Sequence, residues 1–323
     1  MADLNATYGS AFIGLIVGAV LYGVTLLQTF LYYRQYPQDS RLTKFLVFLL
    51  WVLDTAHLVL CTMSIYWYLV TNFANPLALN KTTWSMDLQT DCNGLIGLIV
   101  ECFFARRVWA MSGNILLTGV IVILACIHFG LGIVFTIKSF ILIDLDKFPQ
   151  LIWVTSAGLG SAAAADIIIA CALCYYLTKN KTGFSRTDSL ITTLIAYSLT
   201  TGLITSVIAF IAVVTFAIMP KNYVWLAFFW VLGKCYVNSF LAALNSRESL
   251  REKVNPHGDG TFLQLSPFRA ITSNIDNPTT TEINFRPKQP TSLNIHVETV
   301  SKTDYDYTPP MSPATSTPFQ IAH

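Results

Sequence analysis

LVFLLWVLDTAHLVL, residues 46–60, is apolar enough to lie in lipid, yet it holds Asp54 and His57 one helical turn apart. A run of roughly 20 mostly apolar residues crosses a hydrocarbon core about 30 Å thick as a single helix. The stretch belongs to such a run, 45–70, and six more match it: 10–33, 92–112, 115–137, 151–177, 190–218 and 222–244. The whole chain agrees, with 54% apolar and only 12% charged residues among 323, where soluble domains carry about 25% charged. Helices satisfy their own backbone hydrogen bonds in lipid, and the alternating pattern of a membrane barrel is absent. The fold expected is all-α: an integral membrane bundle of seven transmembrane helices. It comprises a short outer tail at 1–9, a transmembrane domain at 10–245 and a disordered cytoplasmic tail at 246–323.

The N-terminus MADLNATYGS has no basic segment before the first apolar run, and that run is too long for a cleaved signal. Basic residues at span ends set orientation. Arg34, Arg41, Lys44, Arg106, Arg107, Lys179, Lys181, Arg186, Arg247, Arg251 and Lys253 fall on one side, against Lys81, Lys138, Lys147 and Lys221 on the other. This predicts an outer N-terminus and a cytoplasmic C-terminus. The sequons at Asn5 and Asn80 then face outward as glycosylation candidates, while the one at Asn180 faces inward. Of the seven cysteines only Cys92 lies near the outer surface, so no outer disulfide is expected, and the pair Cys171 and Cys174 reads as helix packing.

Nine of the thirteen prolines lie beyond residue 245, among many Ser, Thr and Asn. Such a segment buries too little apolar surface to offset chain entropy. Ser266, Thr308, Ser312 and Thr317 each precede a proline. They are candidates for regulatory phosphorylation at a docking segment for a cytoplasmic partner.

Helical spacing from Asp54 gives His57, Cys61, Ser64 and Tyr68, a polar stripe that must face protein or water. The third span offers Gly94, Gly97 and Glu101. The fifth offers Gly158, Ala162 and Asp166, and the seventh Lys234, Asn238 and Asn245. Counted along the helices, Asp54, Asp166 and Lys234 share one depth and Glu101 lies somewhat nearer the cytoplasm. A charge in the bilayer is expensive, so Lys234 is expected to pair with one or two of these carboxylates. Asp54, His57, Glu101, Asp166, Lys234 and Asn238 form the expected buried polar cluster, serving either as an interhelical lock or as a site for a ligand, ion or proton. His128, between Ile127 and Phe129, reads as a packing residue. Gly14 and Gly18 offer a small-residue face for a homodimer or for packing within the bundle.

Four segments carry a resemblance: GVTLLQTFLYYRQYPQDSRLTKFLVFLLWVLDTAHL, ECFFARRVWAMS, the run from AAAADIIIACALCYYLTKNKTGFSRTDS to SLTTGLIT, and GKCYVNSFLAALNSR. Over residues 10–250 the chain resembles the fungal, largely basidiomycete, seven-helix membrane proteins grouped as domain-of-unknown-function family 6534. The resemblance implies a multi-pass topology and brings no activity, substrate or cofactor.

The residues favour a non-enzymatic, receptor-like sensor. They depart from rhodopsin-like receptors at FFARRVW and YVNSF, and a seven-helix topology alone does not decide function. The alternative is a small transporter or an ion- or proton-conducting protein. Against it, Pro37, Pro76, Pro149 and Pro220 all sit in loops, so no span carries the proline break common at transporter sites. A retinal protein would use Lys234, but the other helices do not fit. A zinc hydrolase would find only His57 and His128 within the spans, and the chain has no H-E-x-x-H. No metal, cofactor or nucleic acid is expected. The expected partners are the lipid bilayer and an unidentified ligand or solute.

Overall fold

The computed structural model describes residues 5–73, 75–179, 185–219 and 222–254. Among them it contains helices α1 (Ser10–Gln35), α2 (Arg41–Tyr66), the short α3 (Pro76–Leu79), α4 (Trp84–Ser112), α5 (Ile115–Leu142), α6 (Ile152–Lys179), α7 (Ser185–Ile218) and α8 (Val224–Val254). A π-helical turn, Trp67–Thr71, extends α2, and a 3-10 turn, Leu145–Leu151, leads into α6. The tail with Ser266, Thr308, Ser312 and Thr317, and the side chain of Asn5, lie outside the described residues.

The seven long helices close a ring. α1 packs on α2, α2 on α4, α4 on α5, α5 on α6, α6 on α7, α7 on α8, and α8 returns to α1. α4 also touches α6 and α8, so it is enclosed by more neighbours than any simple ring member needs. Enclosure explains a difference from the sequence expectation. The predicted third span starts at 92, whereas α4 starts at Trp84. Ser85, Asp87, Gln89 and Asn93 in its first turns are buried against protein, so a polar composition that reads as loop is held as helix.

Among the described residues, five segments are long and apolar enough to cross a membrane: Thr7–Gln35, Arg41–Thr71, Ile115–Leu142, Lys147–Lys179 and Val224–Arg247. α4 falls short in composition because it carries Asp87, Asp91, Glu101, Arg106 and Arg107. The described apolar part of α7 is Gly202–Ile218. Large apolar side chains such as Ile13, Val20 and Phe30 on α1, and Ile115, Ile123 and Ile141 on α5, are exposed on the outside of the bundle. An exposed apolar belt of this extent suits lipid rather than water.

Local chemistry sets the helix ends. Ser40 Oγ accepts from the Thr43 amide at 3.3 Å, Thr83 Oγ1 from Met86 at 3.3 Å, and Asn114 Oδ1 from Leu116 and Leu117 at 3.0 and 3.2 Å. Such side chains satisfy amides that the first helical turn leaves free. Gly113, at φ 64°, ends α4 in the left-handed region that favours glycine, and Asn114 starts α5 directly after it. Gly113→Ala is expected to lower the unfolding free energy in mixed micelles by about 1 kcal/mol. Gly119→Ala, inside α5 where an added Cβ meets nothing within 4 Å, is expected to leave stability unchanged or raise it.

α8 continues to Val254, past the boundary at 245 expected from composition. The segment RESLREKV is rich in good helix formers and precedes the first proline of the tail, Pro256. Gly14 sits against α8, where an added Cβ would lie 2.5 Å from Ala227 Cα, and Gly18 faces Lys234 at 4.0 Å. The small-residue face of α1 is therefore occupied within the chain, and a homodimer would have to use another surface.

Candidate functional site: two polar clasps on the last helix

The stripe expected on α2 is internal along its whole length: Asp54, His57, Cys61, Ser64 and Tyr68 are all buried. Towards one end, Ser64 Oγ lies 2.8 Å from Ser85 Oγ, and Tyr68 OH donates to the Lys81 carbonyl at 2.7 Å. Near the middle, Lys234 Nζ reaches Asp54 Oδ1 at 2.6 Å and the Asp54 carbonyl at 2.8 Å. Lys234 is 1% exposed and Asp54 0%. The ammonium also lies 5.4 Å from the Tyr22 ring centroid, and Tyr22 OH meets Thr55 Oγ1 at 2.7 Å. A carboxylate, a carbonyl and an aromatic face thus replace the water an ammonium would otherwise need.

His57 lies in the next turn with Cys61, its Nε2 3.7 Å from Cys61 Sγ. Among the described residues it makes no ion pair with a carboxylate. Its place is beside the Lys234–Asp54 pair, within the buried stripe.

Glu101 and Asp166 do not meet Lys234. They meet Tyr236, whose hydroxyl lies 2.9 Å from Asp166 Oδ2 and 3.4 Å from Glu101 Oε1. His128 Nδ1 stands 3.5 Å from the same Glu101 oxygen. The expectation that His128 merely packs is therefore corrected: it is the imidazole of this second group, seated where Gly97 leaves space, since a Cβ there would lie 3.0 Å from His128 Cε1. Asp166, Thr205 and Tyr236 line a cavity of about 20 Å³, enough for about one water. Asn238, expected in the cluster, turns to α1 instead: its Nδ2 donates to the Leu21 carbonyl at 3.1 Å and to the Lys234 carbonyl at 2.9 Å.

One expected cluster is thus two. Residues two apart on a helix point about 200° away from each other, so Lys234 and Tyr236 leave α8 on nearly opposite faces. One clasps α2; the other clasps α4 and α6, with α5 joined through His128 on Glu101. Tyr236 was not singled out by sequence, because it is off the face defined by Lys234, Asn238 and Asn245. The signal that could have found it is the requirement that Glu101 and Asp166, left without a cation, share some other donor.

At the edge of the membrane-spanning part, where the Val224–Arg247 segment ends, a third contact holds α8. Arg247 forks onto Asp39, Nη2 to Oδ2 at 2.5 Å and Nη1 to Oδ1 at 3.4 Å, while Tyr32 OH donates to Asp39 Oδ2 at 3.0 Å. The guanidinium also stacks 4.5 Å from the Tyr36 ring centroid. Burial pushes the Asp39 carboxyl up, but hydrogen bonds from Arg247 and Tyr32 and the charges of Arg247 and Lys44 outweigh it and lower its pKa overall. A lowered folded-state pKa gives stability that is present above the ordinary aspartate range, near pH 4, and is lost as pH falls through the lowered value. The stability difference between wild type and Asp39→Asn is therefore expected to be constant from neutral pH to about 5 and to vanish in stronger acid. Its size should be that of a partly exposed pair, about 0–1 kcal/mol.

Asn80 is half-buried in the loop between α3 and α4. Among the described residues no group of three or more His, Cys, Asp or Glu side chains is placed to hold a metal ion. All seven cysteines are free thiols.

No curated protein and no solved structure matches the chain. Residues 162–249 match the model of a family of unknown function, DUF6534. The matched region runs from α6 into α8 and includes Asp166, Lys234 and Tyr236, while Asp54, Glu101 and His128 lie outside it. The match supports the resemblance of this chain to that family, and it carries no activity with it.

Proposed function

We propose that this chain is a seven-span membrane protein with an outer N-terminus and a cytoplasmic C-terminus, acting as a receptor-like sensor and not as an enzyme. α4 and α7 would complete the seven spans. The excess of basic residues on one side supports the orientation. The observation that carries the sensing role is the double clasp: α8 is bound through Lys234 to α2 and through Tyr236 to α4 and α6. A buried polar clasp has few intermediate states, because a half-broken one leaves an unsatisfied group in a dry interior. Release of one clasp would rotate or shift α8 as a unit. The shift would reach the cytoplasmic tail that α8 leads into, where Ser266, Thr308, Ser312 and Thr317 would tune a partner's binding.

Spin labels at positions 44 and 253 of the full chain in nanodiscs test this. With Lys234→Met the account expects a second distance population absent from the wild type. A distribution identical to wild type, from protein that remains folded, would contradict α8 as the moving element.

The second reading, a proton-conducting protein, is favoured by one observation: two carboxylates, an imidazole and a phenol form one buried group, of which Asp166 and Tyr236 line a water-sized cavity. Acidification of reconstituted vesicles that Asp166→Asn abolishes, with the 44–253 distance unmoved, would favour it over the sensor.

A further inference from the structure

Two adjoining cavities of about 40 and 20 Å³ share Thr90, Phe135 and Trp225 in their walls. Asp87 borders the smaller one and His128 the larger. The pair therefore starts in the first turn of α4 and ends at the imidazole of the second clasp. Among the described residues, Asp87 Oδ2, Trp225 Nε1 and Thr155 Oγ1 are buried without a hydrogen-bond partner in the protein, and each belongs to a residue of these walls. Buried polar atoms are ordinarily satisfied, and a small space with several of them around it suits ordered water. The two volumes together accommodate about three molecules.

Three waters are enough to join the two ends. His128 sits against Gly97, which follows Asp87 by about 15 Å along α4. Three waters between two side chains make four hydrogen-bonded steps of about 2.8 Å, roughly 11 Å in all. The reach of the carboxylate and of the imidazole covers the remainder. Donor and acceptor roles fit as well. Asp87 Oδ1 accepts from Thr82 at 2.7 Å and from Ser139 at 2.5 Å, which leaves Oδ2 for a water. Thr82 is itself half-buried in the loop before α4, so the Asp87 carboxyl lies one hydrogen bond from the surface. An imidazole accepts a proton at one nitrogen and releases one from the other. From His128 the line continues at 3.5 Å to Glu101, and through Tyr236 at 3.4 and 2.9 Å to Asp166. Linked acids and histidines inside a membrane protein mark proton relays.

We propose that Asp87 is the entry group of a water-bridged proton path to the second clasp. A proton bound at Asp87 Oδ2 passes to the first water, and each water hands one of its own protons to the next. The last water protonates the His128 ring, which releases its Nδ1 proton to Glu101. Every water ends as it began, only O–H and N–H bonds change, and the charge moved is one proton. The inference deepens the proton-conducting reading by naming its approach route, and it rests on that reading for net transport across the membrane.

The test is the rate at which histidine ring N–H protons exchange with water, read by solid-state NMR on the full chain in lipid bilayers with isotope-labelled histidine. His57 is the internal reference, because it is buried and borders neither cavity. His128 is expected to exchange severalfold faster than His57. Thr155→Leu removes a wall hydroxyl and fills part of the larger cavity, while every carboxylate and the imidazole stay in place. It is expected to slow His128 severalfold and to leave His57 unchanged. Asp87→Asn is expected to slow His128 likewise, and Thr155→Leu decides alone if that variant does not fold. Proton flux into reconstituted vesicles separates the path from conduction. Fast, Thr155-dependent exchange at His128 without flux upholds the path and counts against conduction. His128 exchanging no faster than His57, or unaffected by Thr155→Leu, overturns the path, even where flux that Asp166→Asn abolishes upholds conduction.

Discussion

Lys234→Met is expected to destabilise the bundle by about 3–5 kcal/mol, as for breaking a buried ion pair from one side. The reason is the group left behind. Asp54 is 0% exposed and its Oδ1 has the Lys234 ammonium as its partner at 2.6 Å. Without the ammonium the carboxylate must take up a proton or draw in water. Asp54→Asn should be costly for the mirror reason, leaving the buried ammonium with acceptor oxygens and the Tyr22 face but no counter-charge. Lys234→Met combined with Asp54→Asn removes both charges, and is expected to recover much of the loss. Apparent unfolding free energies in mixed micelles give all three values on one scale.

Tyr236→Phe is expected to have the next largest effect, about 1–3 kcal/mol for the one hydrogen bond its phenolic proton makes, which the distances assign to Asp166 at 2.9 Å over Glu101 at 3.4 Å. The substitution keeps the ring and its packing, so the loss reports the hydroxyl alone. Unfolding free energies of Tyr236→Phe and wild type in mixed micelles check this, and equal stabilities would argue against the phenol as a buried clasp.

Much of this architecture was legible in the residues. Long apolar runs placed seven helices, and the stripe from Asp54 to Tyr68 correctly turned inward because a polar row has no place in lipid. Partner choice was not legible. Depth along a helix places Asp54, Asp166 and Lys234 at one level, but which of them meet depends on how each helix is rotated, and rotation is decided by packing. His128 was obscured by Ile127 and Phe129, although neighbours in sequence project to other faces of a helix and say little about its surroundings. The first turns of α4 were obscured by composition. Asp87, Gln89 and Asn93 look like loop until it is clear that α2, α5 and α8 bury them and that Asn93 Nδ2 donates to the Phe229 carbonyl at 2.8 Å.

The central claim is that α8 carries two separate clasps, Lys234 with Asp54 and Tyr236 with Glu101 and Asp166. A pair of double-mutant cycles measures that division directly. Lys234→Met with Asp54→Asn should be non-additive by more than about 2 kcal/mol, whereas Lys234→Met with Asp166→Asn should add within about 0.5 kcal/mol. Additivity in the first cycle, or strong coupling in the second, would show that the ammonium serves a different acid and would contradict the two-clasp arrangement.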